Sequence, residues 1–194
     1  PLRRHLQNTL IASERAKNLV YQILAFSRQG EQEFRPIQIK TTVREALKFL
    51  RASLPSTIHI RNNIQSNSVV MGDPTQIHQV LMNLSTNAGH AMQESGGELS
   101  IELSVVTLNA EFTAIHRDVT PGLYVKLTVR DTGEGIPSQI LPRIFEPFFT
   151  TKDKSKGSGW GLSVVHGIVK KHGGTVTVES ELGKGSTFFV YLPV

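Results

Sequence analysis

The sequence predicts an α/β fold, a two-layer sandwich in which a mixed sheet of about five to seven strands is covered by about three helices. Segments in which apolar and polar residues alternate are interspersed with segments of helical periodicity, and glycine-containing turns separate them. In residues 2–29, by contrast, apolar residues recur at helical spacing alone. We therefore expect one long helix ahead of the sandwich.

Composition excludes several classes of protein. Hydrophobic residues make up 39% of the 194 and charged residues 19%, as in ordinary globular domains, and no apolar run is long enough to cross a bilayer. The chain has no cysteine, which excludes disulfides, thiolate catalysis and cysteine zinc sites. The net charge of +5 comes from mostly scattered residues without aromatic interleaving, so we expect no nucleic-acid partner.

The chain is predicted to have two parts. Residues 1–30 form a helix whose broad apolar stripe needs a partner, either a helix missing from this sequence or a second copy of the chain. A linker at 31–36 leads to a globular domain at 37–194. Its expected elements are a strand at 36–40, a helix capped by Thr41 or Thr42, strands at 58–62 and 69–71, a helix from Pro74 to about Gln93 capped by Asp73, strands at 98–108 and 123–130 joined by an exposed loop at 109–121, a helix at 161–172, and paired strands at 175–180 and 186–192.

The stretch from Asp131 to Leu162 carries the strongest functional signal. Two glycine clusters bracket an aromatic run and a basic patch. Glycines let backbone N–H groups approach a ligand closely, and neighbouring lysines indicate an anionic ligand. We interpret the stretch as a nucleotide pocket with a movable lid, in which Phe145 and Phe148 anchor the lid to the core.

Four motifs follow one another along the chain: Asn83-Leu-Ser-Thr-Asn87-Ala, Asp131-Thr-Gly-Glu-Gly135, Phe145-Glu-Pro-Phe-Phe149 and Gly157-Ser-Gly-Trp-Gly161-Leu. Together they resemble the catalytic ATP-binding domain of sensor histidine kinases, within the superfamily that includes gyrase, Hsp90 and MutL ATPases. The Leu24-Ala-Phe-Ser-Arg28 stretch and the Gly72-Asp-Pro-Thr-Gln-Ile turn resemble the nitrogen-sensor and hybrid-sensor branch. The resemblance implies a Bergerat-type ATP-binding fold over residues 37–194. It also implies that residues 1–30 are the second helix of a dimerisation and phosphoacceptor hairpin.

The resemblance implies a set of residues around the adenine. Asp131 would accept a hydrogen bond from the exocyclic amine, and guanine is disfavoured because it presents a carbonyl there. The alternative is an ordinary turn aspartate. Gly133 and Gly135 would let the backbone close on the base, and Ile136 would form an apolar wall. Thr187 would help to hold the base through the water network of Asp131.

The resemblance also implies how the phosphates and the metal are held. Asn87 would offer its amide oxygen to Mg²⁺, a hard cation that accepts few protein ligands, and Asn83 would assist. Hydrolytic relatives carry a glutamate at the position of Asn83, where it activates water, whereas an amide is a poor base. We therefore expect the phosphoryl group to pass to a partner. Both asparagines could instead be ordinary residues of a helix surface.

The remaining implied ligand contacts lie near the lid. His90 would face the phosphates when protonated, or is a surface histidine. Lys152 is the better phosphate ligand and, with Asn83 and Asn87, completes the expected catalytic set. The expected lid residues that fold over the triphosphate are Gly157, Gly159, Gly161 and Leu162.

The implied function is transfer of the ATP γ-phosphoryl group to a histidine, for relay to the receiver domain of a response regulator. His5, the only histidine of the leading helix, does not match the acceptor motif, so we expect the acceptor on a helix absent from this sequence and no autophosphorylation by this chain alone. We expect this domain to lie in the cytoplasm, in a parent protein with or without a membrane anchor, and we expect the full-length protein to be a homodimer. The alternatives are an autonomous ATPase and a non-catalytic nucleotide-sensing or dimerisation module.

Overall fold

The structure is a computed structural model that describes residues 34–151 and 159–194. The chain divides into two units, Pro1–Phe34 and Arg35–Val194. The predicted leading helix at 1–30 lies outside the described residues, as do residues 31–33 of the predicted linker. The predicted domain boundaries therefore stay predictions.

The described residues form seven strands and four helices. The strands are β1 Arg35–Gln38, β2 Ile58–Ile64, β3 Val69–Gly72, β4 Gly97–Leu108, β5 Gly122–Asp131, β6 Thr175–Glu181 and β7 Gly185–Pro193. The helices are α1 Ile39–Ser53, α2 Pro74–Ala91, α3 Ala110–Ile115 and α4 Gly161–Lys171, with a 3-10 turn at Leu141–Arg143.

Five strands form one mixed sheet in the order β2-β4-β5-β7-β6. β2 runs parallel to β4, and the other neighbours are antiparallel. The predicted pairing of the two long central strands is confirmed, with Leu99 opposite Asp131 and Leu108 opposite Gly122. β1 and β3 pair with each other in a separate two-stranded sheet, so the main sheet has the lowest number of strands expected.

One face of the five-stranded sheet carries the main core. Its buried residues come from α1, α2, α4 and alternate positions of the strands, such as Leu50, Leu84, Val165, Leu127 and Val190. Burial of apolar surface between these two layers is the main stabilising contribution to the fold. The predicted two-layer α/β sandwich is confirmed.

The connection between β4 and β5 at 109–121 is largely exposed, as predicted, but it is not a loop throughout. The segment contains α3, and the side chain of Asn109 caps this helix by accepting a hydrogen bond from the Phe112 N–H at 2.9 Å. Phe112 then packs on Tyr191, with ring centroids 5.2 Å apart, in a small cluster that also buries Val119 and Tyr124. The segment therefore covers part of the second face of the sheet.

The predicted N-terminal cap of α1 is wrong, whereas that of α2 is confirmed. α1 begins at Ile39 rather than after Thr41 or Thr42, and no side chain caps it. Ile39 is fully buried, so its apolar packing fixes where the helix begins. α2 begins as predicted, because the Asp73 side chain accepts hydrogen bonds from the N–H groups of Thr75 and Gln76, at 2.8 and 3.4 Å.

The loop that follows β5 packs directly on the end of α2. The Glu134 N–H donates a hydrogen bond to the Ala91 carbonyl at 3.1 Å. At Gly133, an added Cβ would lie 2.6 Å from the same carbonyl oxygen and 2.7 Å from the Ala91 Cβ. Only a residue without a side chain fits there, so this glycine sets how closely the loop approaches the helix.

His172, directly after α4, joins this helix to the start of α2. Its Nδ1–H donates to the Ile168 carbonyl at 2.8 Å, and its Nε2 accepts from the Asp73 N–H at 3.1 Å. The ring is therefore the neutral tautomer with its proton on Nδ1. Burial lowers the pKa of His172 below its usual value, although the Ile168 carbonyl and Asp73 oppose this shift.

We expect Gly133→Ala to lower the free energy of unfolding by about 2 kcal/mol, because the new methyl group overlaps the backbone of Ala91. Urea-induced unfolding followed by circular dichroism measures the change. The matched control is Gly167→Ala on the exposed side of α4, where nothing lies within 4 Å of the new Cβ. There alanine stabilises the helix by up to about 1 kcal/mol. Equal effects in the two variants would contradict the close packing.

We expect His172→Ala to lower the free energy of unfolding by about 2 kcal/mol at pH 7.5, because it leaves the buried end of α4 without its hydrogen bond to the start of α2. The pKa of His172 is lower in the folded state, so the unfolded chain binds the extra proton first. The contribution of His172 is therefore complete above about pH 6.5 and declines as pH falls below that value.

The measurement is urea-induced unfolding at pH 7.5 and at pH 5.5 for the wild-type chain, His172→Ala and the exposed control His59→Ala. The difference between wild type and His172→Ala should shrink at the lower pH. A difference that stays constant or grows would show that the ring is not held in its neutral form.

Candidate functional site

Asp131 ends β5 with its carboxylate buried and only 4% of the residue exposed. The N–H groups of Gly133 and Ser186 both donate to Oδ1, at 2.9 and 3.3 Å. Burial raises the pKa of the Asp131 carboxyl, while these two hydrogen bonds oppose the shift. Among the described residues none donates to Oδ2, so this oxygen can accept a hydrogen bond from a ligand.

The loop after Asp131, residues 131–136, is held on its other side by the turn between β6 and β7. Gly135 has a φ of 72°, and a side chain there would collide with the carbonyl oxygen of Glu181. The Gly183 N–H donates to the Glu134 carbonyl at 2.7 Å, and the Ile136 N–H donates to Ser180 Oγ at 2.7 Å. The half-buried Ile136 packs against the core, so the loop is fixed between α2 and this turn.

Asn83 and Asn87 both lie half-buried on α2 and face the beginning of α4. The Asn83 Nδ2 donates to the Gly161 carbonyl at 3.3 Å. A Cβ on Gly161 would lie 3.8 Å from the Asn87 Nδ2. The structure thus brings both asparagines close to Gly161, the first residue of α4. Gly161 follows Asn83 by 78 positions and Asn87 by 74 positions in the sequence.

The Asp131 loop and the two asparagines share the C-terminal half of α2. Ala91, on which Gly133 and Glu134 pack, lies four residues after Asn87 and therefore on the same face of the helix, one turn further along. A carboxylate oxygen that can accept a hydrogen bond and two amides thus line the same part of the molecule. This arrangement suits a ligand with a hydrogen-bond donor at one end and oxygen-rich groups at the other.

The sequence predicts that Phe145 and Phe148 both anchor to the core, and the structure agrees for only one of them. Phe145 anchors to the core, with its ring 6.5 Å from that of Phe188 and at 86° to it. Phe148 does not, because it is 67% exposed and has a φ of 66°. Its ring packs edge-on against Trp160 at 4.6 Å, and Gly159 approaches its backbone so closely that an added Cβ would lie 2.6 Å from the Phe148 carbonyl oxygen.

Other predicted site residues divide into three groups. Lys152 and Gly157 lie outside the described residues. His90 is exposed on α2, and the half-buried Leu162 packs against the core at the start of α4. Neither is shown to touch a ligand, so their roles stay predictions.

Thr187 lies on the wrong face of the sheet to share a water network with Asp131. It pairs with Arg130, and the alternation along β7 points it away from the buried Ser186 and Phe188 on either side. Ser186 is the neighbour that contacts the Asp131 carboxylate, through its N–H. The sequence offers adjacent hydroxyl residues at 186 and 187, and only the strand register distinguishes them.

Two features are absent from residues 34–151 and 159–194. Within these ranges no helix has the length and apolar character needed to span a membrane. The same ranges contain no cluster of three or more histidine, aspartate or glutamate side chains that could hold a metal ion.

Comparison with known proteins agrees with this arrangement. The family model of histidine kinase-, DNA gyrase B- and HSP90-like ATPases matches residues 72–194. The chain is 41% identical over 184 residues to the sensor kinase CckA of Brucella abortus (strain 2308), a match that covers 93% of this chain and 19% of CckA.

Two solved structures extend the match to the fold. Full-length ShkA in complex with AMPPNP has a TM-score of 0.70 and 25% identity, over 94% of this chain and 36% of that one. The histidine kinase ThkA in complex with the response regulator TrrA has a TM-score of 0.68 and 26% identity, over 94% of this chain and 48% of that one.

The chain spans less than half the length of each of these three proteins. The family model nevertheless covers well over half of the chain, and its range contains the Asp131 loop, the two asparagines and α4. The chain therefore belongs to the family of histidine kinase-, DNA gyrase B- and HSP90-like ATPases.

Proposed function

We propose that this chain carries the ATP-binding catalytic domain of a sensor histidine kinase, which transfers the γ-phosphoryl group of ATP to a histidine. The observation that carries the proposal is the Asp131 carboxylate, whose Oδ1 is held by two N–H groups while Oδ2 is left to accept a hydrogen bond. An exocyclic amine donates such a bond, and the carbonyl of guanine cannot. The match to ShkA in complex with AMPPNP, an analogue of ATP, supports an adenine nucleotide.

The asparagines would serve the phosphate end of the nucleotide. Asn87 offers an amide oxygen, the hard ligand that Mg²⁺ accepts alongside phosphate oxygens and water. When bound, the cation would neutralise charge on the β- and γ-phosphates. Its site would be completed by the phosphates, since one amide provides a single protein ligand.

Asn83 would favour transfer to a protein over hydrolysis. Its Nδ2 is engaged with the Gly161 carbonyl, and an amide cannot take a proton from water as a carboxylate does. We further propose that Lys152, Gly157, Gly159 and His90 approach the triphosphate from the segment before α4 and from α2. Catalysis would then rest on positioning and charge stabilisation.

The partners follow from this role. We propose that residues 1–30 belong to a dimerisation hairpin, that the acceptor histidine lies on the other helix of that hairpin, and that the full-length protein is a homodimer. A response regulator would receive the phosphoryl group, as the match to ThkA in complex with TrrA supports. Use of ATP and of a receiver domain would place this domain in the cytoplasm.

We expect Asp131→Asn to weaken ATP binding about a hundredfold, and GTP binding to stay level or improve. The N–H groups of Gly133 and Ser186 require an oxygen at the position of Oδ1. The new NH₂ group must therefore take the position of Oδ2, where it opposes the amine of adenine but can donate to the carbonyl of guanine. Isothermal titration calorimetry with ATP and GTP in the presence of Mg²⁺ measures both affinities.

Failure of the wild-type chain to bind ATP, or equal losses for ATP and GTP in Asp131→Asn, would contradict the assigned base contact. Steady release of phosphate by the purified chain, abolished in Asn83→Ala, would instead favour an autonomous ATPase.

We expect Asn87→Ala to remove the gain in ATP affinity that Mg²⁺ provides, a loss of about tenfold, because the metal loses its protein ligand. Affinity measured in the presence of EDTA should be nearly unchanged. The matched control is Asn63→Ala, an exposed asparagine on β2. A loss of affinity that is the same with and without Mg²⁺ would show that Asn87 acts on the nucleotide directly.

A further inference from the structure

Ser180, near the end of β6, has a hydroxyl group at the centre of three hydrogen bonds. The Ile136 N–H reaches Ser180 Oγ at 2.7 Å, the Gly185 carbonyl lies 3.0 Å from it, and Ser186 Oγ lies 2.9 Å from it. The first contact joins β6 to the loop at 131–136, and the other two join β6 to the first residues of β7, beside the turn between these strands.

The chemistry of the three partners fixes the direction of each bond. A hydroxyl has one proton and two lone pairs. The Gly185 carbonyl can only accept, so it receives the Ser180 proton, and the Ile136 N–H can only donate, so it takes one lone pair. Ser186 must then donate its own hydroxyl proton to the second lone pair. Every hydrogen-bonding position of the Ser180 hydroxyl is occupied.

These bonds connect both ends of the loop at 131–136 to the hairpin formed by β6 and β7. Ile136, at the end of the loop, is tied to Ser180 directly. Asp131, at its start, is bound by the N–H of Ser186, the residue that also donates to Ser180. Gly185 packs so closely on the Asp131 carbonyl that a side chain there would overlap it. The position of Asp131 relative to Ile136 thus depends on this hairpin.

We propose that Ser180 is a positioning residue for adenine recognition, which acts by holding the loop so that the Asp131 carboxylate meets the amine of the base. The proposal rests on the function proposed above. A small displacement of the loop weakens a directional hydrogen bond strongly, whereas the apolar contact of Ile136 with a base depends little on direction. Ser180 therefore governs the preference for ATP over GTP more than general nucleotide affinity.

The test measures ATP and GTP affinities by calorimetry on Ser180→Ala, Ser180→Thr and a matched control, each in the full chain. Ser180→Ala should weaken ATP binding about fivefold with little change for GTP, so the preference for ATP falls about fivefold. Ser180→Thr keeps the hydroxyl and should restore most of the preference. The control is Ser104→Ala, a half-buried serine on β4 opposite Lys126, which should bind as wild type does.

Each outcome decides the proposal. Equal losses for ATP and GTP, no loss in Ser180→Ala, or no recovery in Ser180→Thr would overturn it. Thermal unfolding checks that each variant is folded. If Ser180→Ala is not folded, Ser180→Cys replaces it, because cysteine keeps the side-chain size and forms a weaker hydrogen bond. An unchanged preference for ATP in Ser180→Cys would then overturn the proposal. No ATP binding by the wild-type chain would refute the proposed function itself, an outcome distinct from a failure of Ser180 alone.

Discussion

The rest of the site depends on one buried carboxylate and the two backbone N–H groups that hold it. Removing an ionised carboxylate from water is costly unless hydrogen bonds replace the lost hydration. The donors from Gly133 and Ser186 replace part of it, but both act on Oδ1 of Asp131. The other oxygen is the reason this end of the molecule favours a ligand that brings its own donor.

This constraint also explains why the loop after β5 cannot be treated apart from the fold. Its start is set by the pairing of Leu99 with Asp131 in the sheet, and its middle is set by the contact of Gly133 with Ala91 of α2. Its end is set by the turn between β6 and β7, through Gly135 and Ile136. Three elements distant in sequence therefore converge on six residues, which makes the geometry of the site a property of the whole sandwich.

Local patterns predicted much of this from sequence, and non-local pairing accounts for most of what they missed. The alternation of β4 and β5, the Asp73 cap and the glycines after Asp131 are local signals, and each appears where expected. The choice between Ser186 and Thr187 depends on which face of β7 each occupies, and that follows from the register with β5. The role of Ser180 depends on a contact 44 residues away. The pairing of β1 with β3 in a separate sheet likewise joins strands that are distant in the sequence.

α4 is attached to α2 at both ends, through the Asn83 amide at Gly161 and through His172 at the Asp73 N–H. These contacts hold α4 against α2 from Gly161, the boundary at which the helix begins. Trp160 stands at that boundary and is the only tryptophan in the chain. Its intrinsic fluorescence is sensitive to the edge-on contact with Phe148 and is therefore a built-in optical reporter of that contact, with no second tryptophan to add background.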